Sequence, residues 1–230
     1  MSVLIKNGEI ITADNRYFAD ILCENETITR IDRNLLPPPG AEVIDAKGKY
    51  VFPGFIDPHV HIYLPFMGTF AKDTYETASK AALIGGTTTL IEMCAPSRVE
   101  DALKGFELWM SKAVGKSACD FTFHMSVTKF DDQTEGQLRE IVMRGISSFK
   151  VYLAYKGAFG VDDAELYRTL KLAKELGVIV TAHCENETLI AEISKDLLAA
   201  GKLDSGQHHE SRPPTVEAEG VFITPRWLRD

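Results

Sequence analysis

A chain of 230 residues, 45% hydrophobic and 25% charged, is long enough to bury a sizeable core and does not have the composition of a disordered protein. Its net charge is −8 and it has no basic run, which argues against nucleic acid and anionic membranes as partners. The apolar start before Lys6 is too short for a signal peptide, no later stretch is long enough to span a membrane, and none of Cys23, Cys94, Cys119 and Cys184 forms a Cys-x-x-Cys pair, so a cytoplasmic protein with reduced thiols is expected.

Residues 1–50 read as short strands. Asn7-Gly8 between two apolar runs predicts a hairpin, and Glu24 to Glu26 predicts a second turn within ADILCENETITRID. The stretch Leu35-Leu36-Pro37-Pro38-Pro39-Gly40 is a stiff loop before further strand. From Val51 short apolar runs alternate with amphipathic helices. The predicted strands are VFPGFID, TTTLIEM, DFTFHMSV, SSFKVYL and VIVTAHC. Ser97 to Glu100 predicts a capping box and Asp162 to Glu165 its aspartate version, while Gly85-Gly86 and Gly177 stand where helices should end.

Single helices between short strands predict βα units around a parallel sheet. The first of these strands ends in Asp57-Pro58-His59-Val60-His61 rather than in a glycine-rich phosphate loop, which favours a TIM-type (β/α)₈ barrel over a doubly wound sheet. A barrel needs eight strands and typically ~250 residues. Five strands are found here, so the α/β fold is expected to be an incomplete barrel of about five of eight βα units.

His59 and His61 stand at i and i+2 of a strand end, so both imidazoles face one side and can reach one metal. The alternative is a pair of structural histidines in a loop. Lys150 lies in SSFKVYL, where an unpaired ammonium is costly. Either it pairs with a buried carboxylate, or it snorkels to the rim, or burial lowers its pKa and leaves a neutral, nucleophilic amine able to take up carbon dioxide as a carbamate. His183 ends the fifth strand and is a fourth candidate. Two metals about 3.5–4 Å apart could share a hydroxide and hydrolyse an amide-like bond. His124, inside its strand, is expected to be buried support, and His208-His209 to be structural.

Together GKYVFPGFIDPHVH, GGTTTLIEM, SSFKVYLAYKG and TAHCEN resemble the hydantoinase and dihydropyrimidinase family of the amidohydrolase superfamily, from about residue 3 to Gly220. The resemblance implies a small β-sandwich module (residues 1–50), the N-terminal part of the barrel (51–220), two divalent metal ions, zinc in the first instance, and an N6-carboxylated Lys150. It implies that His59 and His61 hold one metal, that Lys150 bridges, and that His183 binds the second. Tyr155 would contact a small cyclic amide and support the developing oxyanion, Leu64 and Phe66 would line its pocket, and Glu185 would brace a ligand histidine. Homo-oligomers are common among such relatives. Sister activities are allantoinase and dihydroorotase, against which Tyr155 in AYKG argues; a non-catalytic scaffold relative is a further alternative, less favoured because such relatives lose metal ligands.

The chain departs from the pattern in two ways. A strand-six histidine and a strand-eight aspartate, the general base, are expected by resemblance and are not found. Residues 221–230 do not read as the family's next helix, and Pro225 is expected to break it within a turn. A truncated or frameshifted product is therefore expected, inactive and poorly soluble by itself.

Overall fold

The computed structural model describes residues 1–66 and 68–226, so the last four residues of the expected tail lie outside the described part. The chain divides into two compact units, Met1–Phe55 and Ile56–Asp230.

The first unit is one mixed sheet. Strand β1 (Ser2–Ile11) pairs antiparallel with β2 (Arg16–Glu24), which pairs with β3 (Thr27–Asp32); β4 (Glu42–Asp45) and β5 (Tyr50–Val51) lie parallel to β1. The turn between β2 and β3 forms as expected: Asn25 and Glu26 both take positive φ, 50° and 65°, the combination of a tight hairpin. Asn7-Gly8 does not make a hairpin. Both flanking apolar runs belong to β1, and the register with β2 slips between Ile5 and Gly8. The positive φ of Asn7, 62°, serves a bulge instead. Its N–H donates to Asp20 Oδ1 at 2.9 Å, and a Cβ at Gly8 would fall 2.5 Å from Val51 Cγ2. Only this one sheet is found in the unit, where the resemblance implies a sandwich.

The second unit takes up β6 (Phe55–Val60) from its second residue, followed by the small hairpin of β7 (Pro65–Phe66) and β8 (Thr69–Phe70), then by α1 (Tyr75–Ile84), β9 (Thr87–Cys94), α2 (Ala102–Ala113) and β10 (Asp120–Ser126). The chain continues through α3 (Asp132–Met143), β11 (Ser148–Tyr152), α4 (Asp163–Leu176), β12 (Ile179–His183), α5 (Glu187–Ala199), α6 (Gln207–Glu210) and α7 (Pro214–Arg226). The main sheet has the order β12-β11-β10-β9-β6, and its registered pairs are parallel. All five strands expected from sequence are present, in the barrel order. None of the described helices is long and apolar enough to cross a membrane.

Helix ends follow local chemistry. Asp162 and Glu165 form the expected box on α4, and Gly177 closes that helix at φ 69°. Glu100 does reach back to the Ser97 N–H at 2.6 Å, but α2 starts later. Asp101 is its N-cap, accepting from the Lys104 N–H, so Ser97–Glu100 closes a turn ahead of the helix. Helix α7 is described through Pro225 to Arg226; residues 227–230, where the expected break would show, lie outside the described residues.

Alternation sorts the barrel strands into two faces. Phe123 and Met125 of β10, with Phe149 and Val151 of β11, join Phe106, Trp109, Leu138, Ile141, Leu166 and Leu170 in the core between sheet and helices. The intervening residues, His124, Ser126, Ser148, Lys150 and Tyr152, therefore face the other way. So do Thr181 and His183, since Val180 and Ala182 pack on the core. The residues of chemical interest share the inner face because their neighbours are apolar.

Candidate metal centre

His59 lies in β6 and His61 immediately follows it; their rings are 5.3 Å apart, edge to face. Lys150 is the middle residue of β11 and only 4% exposed. In register it lies between Ser126 and Thr181, and its Nζ sits 5.2 Å from the Tyr152 ring centroid. His183 is the last residue of β12, opposite Tyr152. The four line one cleft of about 320 Å³ with Leu64, Phe66, Tyr152, Tyr155 and Phe159. Leu64 and Phe66 thus stand where the resemblance puts them.

Among the described residues no carboxylate lies within ion-pair distance of the Lys150 Nζ, which leaves the buried-pair reading without a partner, and the side chain borders the cleft. Burial lowers its pKa, which raises the fraction of neutral amine. Desolvation also lowers the pKa of His59 and of His61; Lys150 is the next cause for His59, while for His61 it is His59 and then Lys150. Neutral imidazoles are the form that binds a metal.

His183 Nε2 is 2.6 Å from Glu185 Oε2, and Glu185 Oε1 is 3.4 Å from Arg212 Nε. This bond fixes the imidazole and leaves Nδ1 as the nitrogen able to take a metal. Tyr155 holds a left-handed φ of 60°. Its ring stands 5.3 Å from His183 and 5.5 Å from Phe66. Burial pushes its hydroxyl pKa up, keeping it a donor.

His124 is a brace, as expected. Nδ1 is 2.6 Å from Ser148 Oγ and Nε2 is 2.9 Å from the Pro58 carbonyl, one residue before His59. His208 and His209 lie in α6, away from the cleft lining. Among the described residues no three His, Cys, Asp or Glu side chains group as a metal site. The donor set fits a metal only through Lys150, and only if that amine is converted to an anionic oxygen donor.

Sequence reasoning missed Glu92. It faces the helices, 1% exposed, and its Oε1 accepts from the Ile62 N–H at 2.8 Å and the Tyr63 N–H at 2.5 Å. It thereby ties down the chain just after His61. The missed signal is a lone charge in TTTLIEMC, the same signal that singled out Lys150. Burial raises its pKa from 4.5 to about 7. The folded chain therefore holds a proton that the unfolded chain releases between these values, and stability falls as pH rises from 4.5 through about 7. Glu92→Gln keeps one acceptor and cannot ionise. It is expected to match the parent near pH 4 and to exceed it near pH 8 by up to about 3 kcal/mol in urea denaturation. A difference independent of pH would contradict this account of Glu92.

The amidohydrolase family model matches residues 50–229. Over 222 residues the chain is 46% identical to the D-hydantoinase of Geobacillus stearothermophilus, covering 96% of this chain and 47% of that protein. It is 38% identical over 221 residues to the dihydropyrimidinase of Dictyostelium discoideum, covering 96% and 44%. Among solved structures, D-hydantoinase (dihydropyrimidinase) from Thermus sp. is 69% identical with a TM-score of 0.94, covering 98% of this chain and 49% of that one. The chain spans about half the length of the curated relatives it matches. The family match takes in all five strands of the parallel sheet and every residue of the cleft, and the chain belongs to the amidohydrolase family.

Proposed function

We propose that the protein carrying this chain is a metal-dependent hydrolase that opens five- or six-membered cyclic amides, of the hydantoin or dihydropyrimidine type, at a carbon–nitrogen bond. The observation that carries this reading is Lys150, buried without a carboxylate partner among the described residues, in one cleft with three histidines and two tyrosines. The similarity to hydantoinases and dihydropyrimidinases supports the substrate class.

His59, His61 and Lys150 would hold one divalent ion, with Lys150 and His183 taking a second; imidazole donors suit zinc. Such ions, when bound, polarise a carbonyl and lower the pKa of water. Lys150 prepares the site: its neutral amine forms an N–C bond to carbon dioxide, loses a proton to solvent and becomes a carbamate anion. Glu185 holds His183 in one tautomer. The cleft is of a size that suits a small ring with a substituent, and Phe66 and Phe159 give it an apolar wall that excludes water. Tyr155 donates its hydroxyl proton in a hydrogen bond to the oxyanion that develops on the ring carbonyl. Four donors fall short of the set that the resemblance implies for two ions.

A substrate panel tests the reading: hydantoin and dihydrouracil should be opened, dihydroorotate and allantoin should not. The reverse preference would replace it with the sister activity, and a protein that binds no zinc would replace it with a scaffold. Tyr155→Phe is expected to lower kcat roughly 10²-fold with little change in KM. A change in KM alone would assign Tyr155 to substrate binding rather than to the oxyanion.

A further inference from the structure

Arg98 lies in the segment between β9 and α2, outside the cleft lining. Its Nη1 donates to the Gly160 carbonyl at 2.6 Å and to the Thr128 carbonyl at 2.5 Å. It also forks onto Glu165, with Nη2–Oε1 at 2.8 Å and Nη1–Oε2 at 3.1 Å. Glu165 is itself fully engaged. Oε1 accepts from the Phe130 N–H and Oε2 from the Asp162 N–H that it caps. One ion pair thus joins the segments that follow β9, β10 and β11.

The Gly160 end of this network leads to Tyr155. The N–H groups of Ala158, Phe159 and Gly160 all point at the Tyr155 carbonyl, each at 3.0 Å, and the Val161 N–H donates to the Tyr152 carbonyl. The loop is closed so tightly that a Cβ at Gly160 would fall 2.4 Å from the Ala154 carbonyl oxygen. Glu187 accepts from the Lys156 N–H on the other side. Tyr155 keeps its left-handed φ inside this ring of bonds, a conformation that a bulky residue holds only when its surroundings impose it. An anchor on the Gly160 carbonyl therefore acts on Tyr155 through the hydrogen-bonded loop that the Gly160 N–H closes on the Tyr155 carbonyl.

We propose that Arg98 is a positioning residue for Tyr155, fixing the 154–161 loop through Gly160 and Glu165; this rests on the reading of the cleft given above. The guanidinium is needed for its geometry as well as its charge, because a fork reaches the carboxylate and the carbonyls together. A lysine supplies the charge and reaches fewer of these acceptors.

The test has two readouts. Amide hydrogen exchange on the protein carrying this chain compares the parent with Arg98→Met and Arg98→Lys. In Arg98→Met the amides of Ala158, Phe159 and Gly160 are expected to exchange at least roughly tenfold faster, with those of β9 and β10 unchanged. Arg98→Lys should lie between. The second readout is a double-mutant cycle with Tyr155→Phe in the protein carrying this chain. Arg98→Met is expected to lower kcat roughly tenfold when Tyr155 is present and less than about twofold in the Tyr155→Phe background, with bound zinc unchanged in both. A merely structural ion pair would lower kcat by the same factor in both backgrounds. Unchanged loop exchange, or multiplicative effects on kcat, would overturn the proposal. Failure of the unsubstituted protein to open any cyclic amide would instead overturn the reading of the cleft, and the exchange result would then decide alone whether Arg98 fixes the loop.

Discussion

Lys150→Ala is expected to reduce ring opening by at least about 10³-fold and to leave the protein folded. The inner face of the sheet gathers Lys150, His59, His61 and His183 in one cleft, with no carboxylate among the described residues to balance the lysine. As an ammonium, Lys150 is buried and disfavours protonation of both neighbouring histidines. Conversion to a carbamate would reverse the sign of that interaction and would supply the anionic donor that the proposed metal site needs. Alanine removes the anion together with the amine. A small carboxylate such as acetate, added to Lys150→Ala, should restore part of the activity, because it returns a carboxylate to the same space. Lys150→Met should behave differently in the metal-free chain. Removing a desolvated amine that has no carboxylate partner among the described residues is expected to stabilise it by about 1 kcal/mol in urea denaturation near neutral pH. A Lys150→Ala protein that keeps more than a tenth of the parent rate would rule out the carbamate.

His59→Ala and His61→Ala are each expected to lower bound zinc and to reduce ring opening by at least about 10²-fold. The two imidazoles share one side of the β6 end, and desolvation together with the nearby Lys150 lowers the pKa of both. The backbone beneath them is braced twice, by His124 on the Pro58 carbonyl and by Glu92 on the N–H groups of Ile62 and Tyr63. His124→Ala is the control, since it loses a brace and no donor. Its effect should be about 10–100-fold at most, with zinc retained at saturating metal. Metal analysis by mass spectrometry checks all three. Equal zinc in His61→Ala and the parent would remove His61 from the metal site.

Most of the architecture was legible because the sequence alternates cleanly. Apolar Phe149 and Val151 around Lys150, and Val180 and Ala182 around His183, announce both the strand and the face that each polar residue takes. Helix ends with a glycine in the left-handed region or an aspartate cap were equally plain. Asn7-Gly8 misled because a left-handed asparagine serves a bulge as well as a turn, and only the pairing of β1 with β2 separates them. Ser97–Glu100 misled because a glutamate that reaches back to a serine N–H can close a turn without starting a helix. The cleft residues could be read one at a time. Their supports could not, since Glu92 on the Ile62 and Tyr63 N–H groups and Arg98 on the Gly160 carbonyl are bonds across 29 to 62 residues of chain. Only the folded chain shows which carbonyl or amide a distant charge will meet.

Ring opening of dihydrouracil and hydantoin, before and after metal removal, tests the central claim most directly. The protein carrying this chain is loaded with zinc in the presence of bicarbonate, assayed, stripped with a chelator, and reloaded. The account predicts turnover with zinc, its loss on stripping, and its return on reloading with zinc and bicarbonate together. Turnover that survives complete removal of metal, or a zinc-loaded protein that opens neither ring, would contradict it.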